Sequence, residues 1–331
     1  MFRVKHHAGE PRVTRRLAAL VLLAAFMLTT AAREQGSPNV PPPAPPDYAP
    51  IRLHVACGEL FDAPCGKVLP TIAARTAWAG VVLRPVESGG ALDTIASVCQ
   101  GQAAAAIVPA DALTRLAHHP ACLGRYDVVG RPLYPLYAFL VVRASASFRS
   151  LDDLASAGQQ RTIAAGADGS GARITLGALL KSNPAWQRAV TVTNDDAATA
   201  LERIADGSID GSFAMESLDS ALLSQIRLSA DARGEPLYRF IDVRPGPDFP
   251  RAGDGRCLYR LTALDFGGAS PVTTVSVDAV MILGRTFRDA HARGGPFAPD
   301  VLASAIDATR AAILADMKSP GDWRPAGASC Q

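Results

Sequence analysis

A chain of 331 residues, 48% of them hydrophobic and 19% charged, is long enough for two domains that each bury a core. Its 33 basic side chains against 31 acidic ones leave a formal charge of +2, with lysines and arginines interspersed among carboxylates. No basic stripe interleaved with aromatics is present, which argues against nucleic acid as a partner.

The first 33 residues read as a targeting segment. Arg12, Arg15 and Arg16 precede an uncharged apolar run from Leu17 to Ala32, the layout of a secretory signal, and Thr30-Ala31-Ala32 offers small residues for cleavage. The run is short for a full bilayer span; an uncleaved signal anchor is the other reading. Residues 34–50, with Pro41-Pro42-Pro43 and Pro45-Pro46, form a stiff extended linker. The body that follows is expected in the periplasm, released or held at the inner membrane. All six cysteines lie in that body, and an even number in an exported chain argues for disulfides. Spacing favours Cys57–Cys65 and Cys99–Cys122, leaving Cys257–Cys330 to tie down the tail. No CxxC or HxxxH spacing exists, and the adjacent His118 and His119 project differently, so neither a metal nor a cofactor is expected.

Ile51 to Ala56 alternates as a strand and ends in the loop Cys57-Gly58-Glu59. Helical periodicity over Val68–Trp78 is followed by a strand, Val81–Val86, and by the polar turn Glu87-Ser88-Gly89-Gly90, which opens a helix, Ala91–Val98. A small apolar strand, Ala103–Val108, ends at Pro109-Ala110-Asp111 before a helix over Ala112–His118. Tyr126–Arg143 is strand-rich, with a buried strand over Tyr137–Arg143. Ser150 can cap a short helix that carries Asp152 and Asp153 in its first turn.

The richest stretch follows, Ile163-Ala164-Ala165-Gly166-Ala167-Asp168-Gly169-Ser170-Gly171-Ala172-Arg173. It reads as strand, glycine turn and helix start, the last running from Ala172 to Leu180. Such a corner either aims backbone N–H groups and a hydroxyl at an anion or is an ordinary serine cap. Beyond it come a strand at Val190–Thr193, a helix at Ala197–Ala205, a strand at Ser212–Ala214, the loop Met215-Glu216-Ser217 and a helix over residues 219–226. Tyr238–Val243 and Val272–Leu283 read as strands, and Ala303–Met317 as a closing helix. Repeated strand–turn–helix units imply an α/β fold with a largely parallel sheet and functional loops at the strand C-termini. The closing elements are too few for a third domain. The expected layout is therefore a first lobe over residues 51–142, a second over 143–243, and completion of the first lobe by 244–331. The chain would cross twice and leave a ligand cleft between lobes.

The ordered set of these pieces resembles the type II periplasmic solute-binding proteins, specifically the TAXI family of TRAP-transporter receptors. Carrying the resemblance are Glu87-Ser88-Gly89-Gly90, Gly101-Gln102 before the strand that leads to Asp111, Pro132-Leu133-Tyr134-Pro135, and Arg143 with Ser150-Leu151-Asp152-Asp153-Leu154. Asp168-Gly169-Ser170-Gly171, Asp206-Gly207-Ser208-Ile209-Asp210 and Val272–Val277 continue it over roughly residues 50–317. Departures occur at Ala91-Leu92-Asp93, at Ala172 and at Met215-Glu216-Ser217-Leu218, so a familiar dicarboxylate ligand does not carry over. The resemblance implies a ligand held by loops after strands: Gly58 and Glu59; Glu87, Ser88 and Gly89; Asp111; Asp168, Gly169, Ser170, Gly171, Ala172 and Arg173; and Met215, Glu216 and Ser217. Tyr134 and Tyr137 could face the cleft, or pack in the core. The expected function is capture of an anionic or zwitterionic metabolite of carboxylate or amino-acid class by a monomeric, non-enzymatic receptor that serves TRAP-type permease subunits. A tethered sensing module is the first alternative. An enzyme using Glu87 with Glu216 is the second, although no GxSxG, HExxH or Walker sequence is present.

Overall fold

The computed structural model describes residues 51–58, 65–156, 158–246, 248–249, 258–266, 271–291, 299–316 and 325–330. In chain order the elements are β1 (Ile51–Ala56), α1 (Gly66–Thr76), β2 (Val81–Val86), α2 (Ala91–Cys99), β3 (Ala105–Pro109), α3 (Ala110–Leu116) and β4 (Tyr126–Arg143). Next come α4 (Leu151–Ser156), β5 (Arg161–Ala164), α5 (Gly171–Lys181), α6 (Pro184–Ala189), β6 (Val190–Thr193), α7 (Ala197–Asp206), β7 (Gly211–Glu216), α8 (Ala221–Leu228) and β8 (Tyr238–Ile241). The chain closes with β9 (Arg260–Leu264), β10 (Val272–Gly284), α9 (Arg285–His291), α10 (Pro299–Asp316) and β11 (Pro325–Cys330).

One sheet runs through the molecule in the order β2-β1-β3-β10-β4-β7-β5-β6. Strands β1, β2 and β3 are parallel, as are β5, β6 and β7. The antiparallel β10 and β4 lie between these two groups. Parallel strands joined by helices are buried on both faces and need continuous apolar runs; β3 supplies one, all five of its residues being buried.

The long strand β4 holds the two halves together. Its 18 residues span about 60 Å at roughly 3.3 Å per residue. From Tyr126 to Tyr137 it pairs with β10, and from Tyr137 onward with β7 and then β8, so its neighbours change at Tyr137. Side chains alternate across it: Leu136, Ala138, Leu140 and Val142 enter one core cluster, whereas Tyr137, Phe139 and Val141 enter another. Strand β10 inserts between β3 and β4, and α10 packs on β4 and α1.

Several details depart from the sequence reading. The strand expected at Ser212–Ala214 extends to Glu216, so Met215 and Glu216 close β7 rather than lie in a loop. Helix α6 was not anticipated, although Asn183-Pro184 carries its signal: Asn183 Oδ1 accepts the Ala185 N–H at 2.9 Å and proline begins the helix. Strands β9 and β11 were also missed; β9 pairs with β10 on one side and β11 on the other, and this long-range pairing has no local signature. The disulfides Cys57–Cys65 and Cys99–Cys122 are present, with Cα atoms 6.1 and 5.0 Å apart. Cys257, the expected partner of Cys330, lies outside the described residues, as do the targeting segment, the linker and Glu59. Among the described residues no helix is long and apolar enough to cross a membrane.

Leu140 is fully buried in β4. Leu140→Ala is expected to destabilise the fold by about 2–5 kcal/mol, read as a lower urea midpoint.

Candidate functional site

The C-terminal ends of β1, β2 and β3 face the start of α5 and the end of β7. Between them lies a cavity of about 10 Å³ lined by Cys57, Gly58, Ala91, Thr94, Ile107, Pro109, Leu136, Gly171 and Met215. Gly58, Gly171 and Met215 are residues the sequence singled out. Cys57 and Pro109 lie in loops the sequence also pointed to, whereas Ala91, Thr94, Ile107 and Leu136 come from helix and strand faces beneath those loops. Their signals were the i, i+3 spacing of Ala91 and Thr94 after a glycine turn and the alternation within β4.

On the first lobe the polar groups beside the cavity form one hydrogen-bonded series. The Gly58 N–H donates to Ser88 Oγ at 2.9 Å, Ser88 and Thr94 share a bond of 2.8 Å, and Thr94 Oγ1 donates to Gly90 O at 3.1 Å. Glu87 is exposed before this turn, and Gly89 sits against the Asp93 side chain.

On the second lobe Ser170 caps α5. Its hydroxyl accepts the Arg173 N–H and donates to Ala165 O, each at 3.0 Å, and the residue is 1% exposed. Both hydroxyl functions are thus committed within its own lobe, and the serine serves as a cap. Ala172 is buried behind it. Arg173 turns away, donating to Thr193 O at 3.0 Å and pairing with the exposed Asp168 at 3.2 Å. Arg143, the other cation placed near a crossing by its sequence position, gives Nε and a terminal nitrogen to Ile204 O at 3.0 and 2.9 Å. Among the described residues no cationic side chain lines the cavity.

Asp111 stands in the first turn of α3 and is 1% exposed. Its Oδ2 accepts Thr175 Oγ1–H from α5 at 2.6 Å and the Tyr259 hydroxyl at 2.9 Å, whereas Oδ1 is buried without a partner. Burial pushes its carboxyl above the usual carboxylate range, against the lowering effect of those two donors. Asp111 therefore joins the lobes beside the cavity rather than lining it.

The tyrosines separate. Tyr134 is buried with an unpartnered hydroxyl, raised above its usual pKa first by burial and then by the charges of Asp219 and Glu216. Tyr137 projects to the opposite face of β4, where its ring meets Phe139 at a centroid distance of 6.5 Å. Glu216 is half-buried, and buried Ser217 donates to Asp219 at 2.6 Å. Glu216 and Asp219 thus bear on the buried Tyr134 hydroxyl, and neither lines the cavity.

No protein family and no curated protein matches the sequence. Solved structures do match the fold. The ligand-binding core of GluR0 in complex with L-glutamate aligns with a TM-score of 0.50 at 12% identity, over 82% of this chain and 97% of that one. The probable amino-acid ABC transporter extracellular-binding protein ytmK from Bacillus subtilis aligns with a TM-score of 0.50 at 9% identity, over 81% and 96%. The fold is the two-lobed, mixed α/β architecture of periplasmic binding proteins, built here on a single sheet.

Two outcomes follow from the site. Ser170→Ala removes the cap and is expected to cost about 1 kcal/mol, lowering the thermal midpoint by about 2–4 °C. For Asp111 the folded-state pKa lies above the unfolded value of about 4, so its stabilising contribution is full below that value and declines as pH rises through the raised one. The groups on it are Thr175 and the Tyr259 hydroxyl, with Arg115 one turn along α3 acting on Tyr259. Thermal midpoints of wild type and Asp111→Asn, measured from about pH 4 to about pH 8, should show wild type falling relative to the variant as pH rises.

Proposed function

We propose that this chain is an exported receptor whose two lobes take a small solute of carboxylate or amino-acid class between them. The observation that supports this reading is the cavity at the strand ends, to which both lobes contribute: Gly58, Ala91 and Thr94 from one, Gly171 and Met215 from the other. A solute that touches both lobes biases their relative position by the difference in its affinity for the two arrangements. The start of α5 at Gly171 favours a carboxylate, and Glu216 and Asp219 near Tyr134 favour an ammonium; together they fit a zwitterion. Apolar Ile107, Pro109, Leu136 and Met215 fit its side chain. Location in the periplasm and service to TRAP-type membrane subunits rest on the leader-like segment and the sequence resemblance. The same leader with its proline linker supports a tethered sensing module as the second reading.

A thermal-shift panel of amino acids, short carboxylates and aliphatic sulfonates tests the proposal. A compound present at about 100 times its dissociation constant adds about 2.7 kcal/mol, or roughly 5–10 °C. Met215→Trp, whose ring would stand in the space between the lobes that an admitted solute needs, should abolish the shift, with retained secondary structure checked by circular dichroism. Absence of any shift across the panel would argue against the receptor reading, and turnover of a bound compound would convert it to an enzyme.

A further inference from the structure

The lobes bond directly to one another at the positions where a solute would enter. The Leu92 N–H, in the first turn of α2, donates across the gap to the Gly169 carbonyl at 3.0 Å. First-turn N–H groups have no partner within their own helix, and here the opposite lobe's backbone provides one. Gly169 adopts φ +85°, a conformation that favours glycine, and this turns its carbonyl towards α2. The approach is close enough to require glycine at position 90: a Cβ there would lie 2.9 Å from Gly169 C and O and from Ser170 N.

Two further contacts lie alongside. Thr175 Oγ1 of α5 donates to Asp111 of α3 at 2.6 Å, both residues being at most 1% exposed. Ile174, also on α5, packs in the first lobe's cluster with Ala91, Ile95 and Ala112. The cavity left between the lobes, about 10 Å³, has room for roughly one water molecule. An amino-acid-sized solute needs more room than this cavity offers, so the lobes must part to admit one there.

We infer that the two lobes latch to each other through Leu92–Gly169 and Asp111–Thr175, and that this self-shut form is the resting state from which a solute must open the domain. A solute that enters takes over the Leu92 N–H and so must carry an oxygen acceptor in place of the Gly169 carbonyl. The inference takes its meaning from the receptor reading, but its test uses no solute, so the two can fail separately.

The experiment is amide hydrogen exchange on the purified protein, dialysed and shown by native mass spectrometry to carry no bound compound. Gly90 has φ −59° and ψ −179°, which alanine tolerates, so Gly90→Ala strains only the lobe contact. Wild type should protect the segments 91–93 and 171–175. Gly90→Ala should speed exchange there about tenfold or more and leave β10 unchanged. If Gly90→Ala also exposes β10, Thr175→Val decides, since it removes one interlobe hydrogen bond and keeps the side-chain volume; it should speed exchange in the same two segments. Unprotected exchange of 91–93 in wild type, or no change in these segments in the variant that keeps β10 protected, overturns the inference.

Discussion

Everything in this fold is arranged around a strand that both halves share. The β4 backbone finds partners on β10 along its first part and on β7 and β8 along its second, so neither half completes its sheet without it. Because a strand buried on both faces must satisfy its backbone groups in the ladder and its side chains in two cores, β4 is apolar without interruption from Leu136 to Val142. Strand β10, inserted late in the sequence between β3 and β4, completes the central pairing. The two lobes are therefore joined through continuous β structure.

With the sheet continuous, the lobes can meet only where loops and helix starts project from the strand ends. There the contact combines the backbone bond from Leu92 to Gly169 with the side-chain bond from Thr175 to Asp111 and the packing of Ile174. Helix α2 presents a first-turn N–H; Gly169 presents a carbonyl; the absence of a Cβ at Gly90 lets them reach each other. A buried hydrogen bond adds roughly 0.5–1.5 kcal/mol, while an unpaired buried group costs about 1–3 kcal/mol. Shutting the cleft without a guest is thus favourable only if each exposed donor finds an acceptor on the facing lobe. Asp111 marks where that matching is incomplete: one carboxyl oxygen takes two donors and the other takes none.

The acidic residues divide by environment in a way their spacing does not reveal. Glu87 stays exposed, Asp168 pairs at the surface with Arg173, and Asp111 is withdrawn from water altogether. The cations that could have received a carboxylate are drawn off to backbone carbonyls, Arg143 to Ile204 and Arg173 to Thr193. The cavity itself is lined by helix starts, the Thr94 hydroxyl and apolar walls.

Local sequence determined most of the elements. Alternation in β1, the apolar run in β4, glycine turns before α2 and α5, and the serine cap at Ser170 are short-range signals, because a cap or a turn is satisfied within four residues. They made the α/β class and the order of its units legible. What only the tertiary structure decided was the pairing of β9 with β11, the insertion of β10 between β3 and β4, and the use made of each polar group at the cleft. Whether Ser170 caps or binds, whether Asp111 faces solvent or a threonine, and whether Leu92 meets a guest or Gly169 depend on which distant backbone arrives opposite. That is set by the summed packing of two cores and is not contained in any window of the chain.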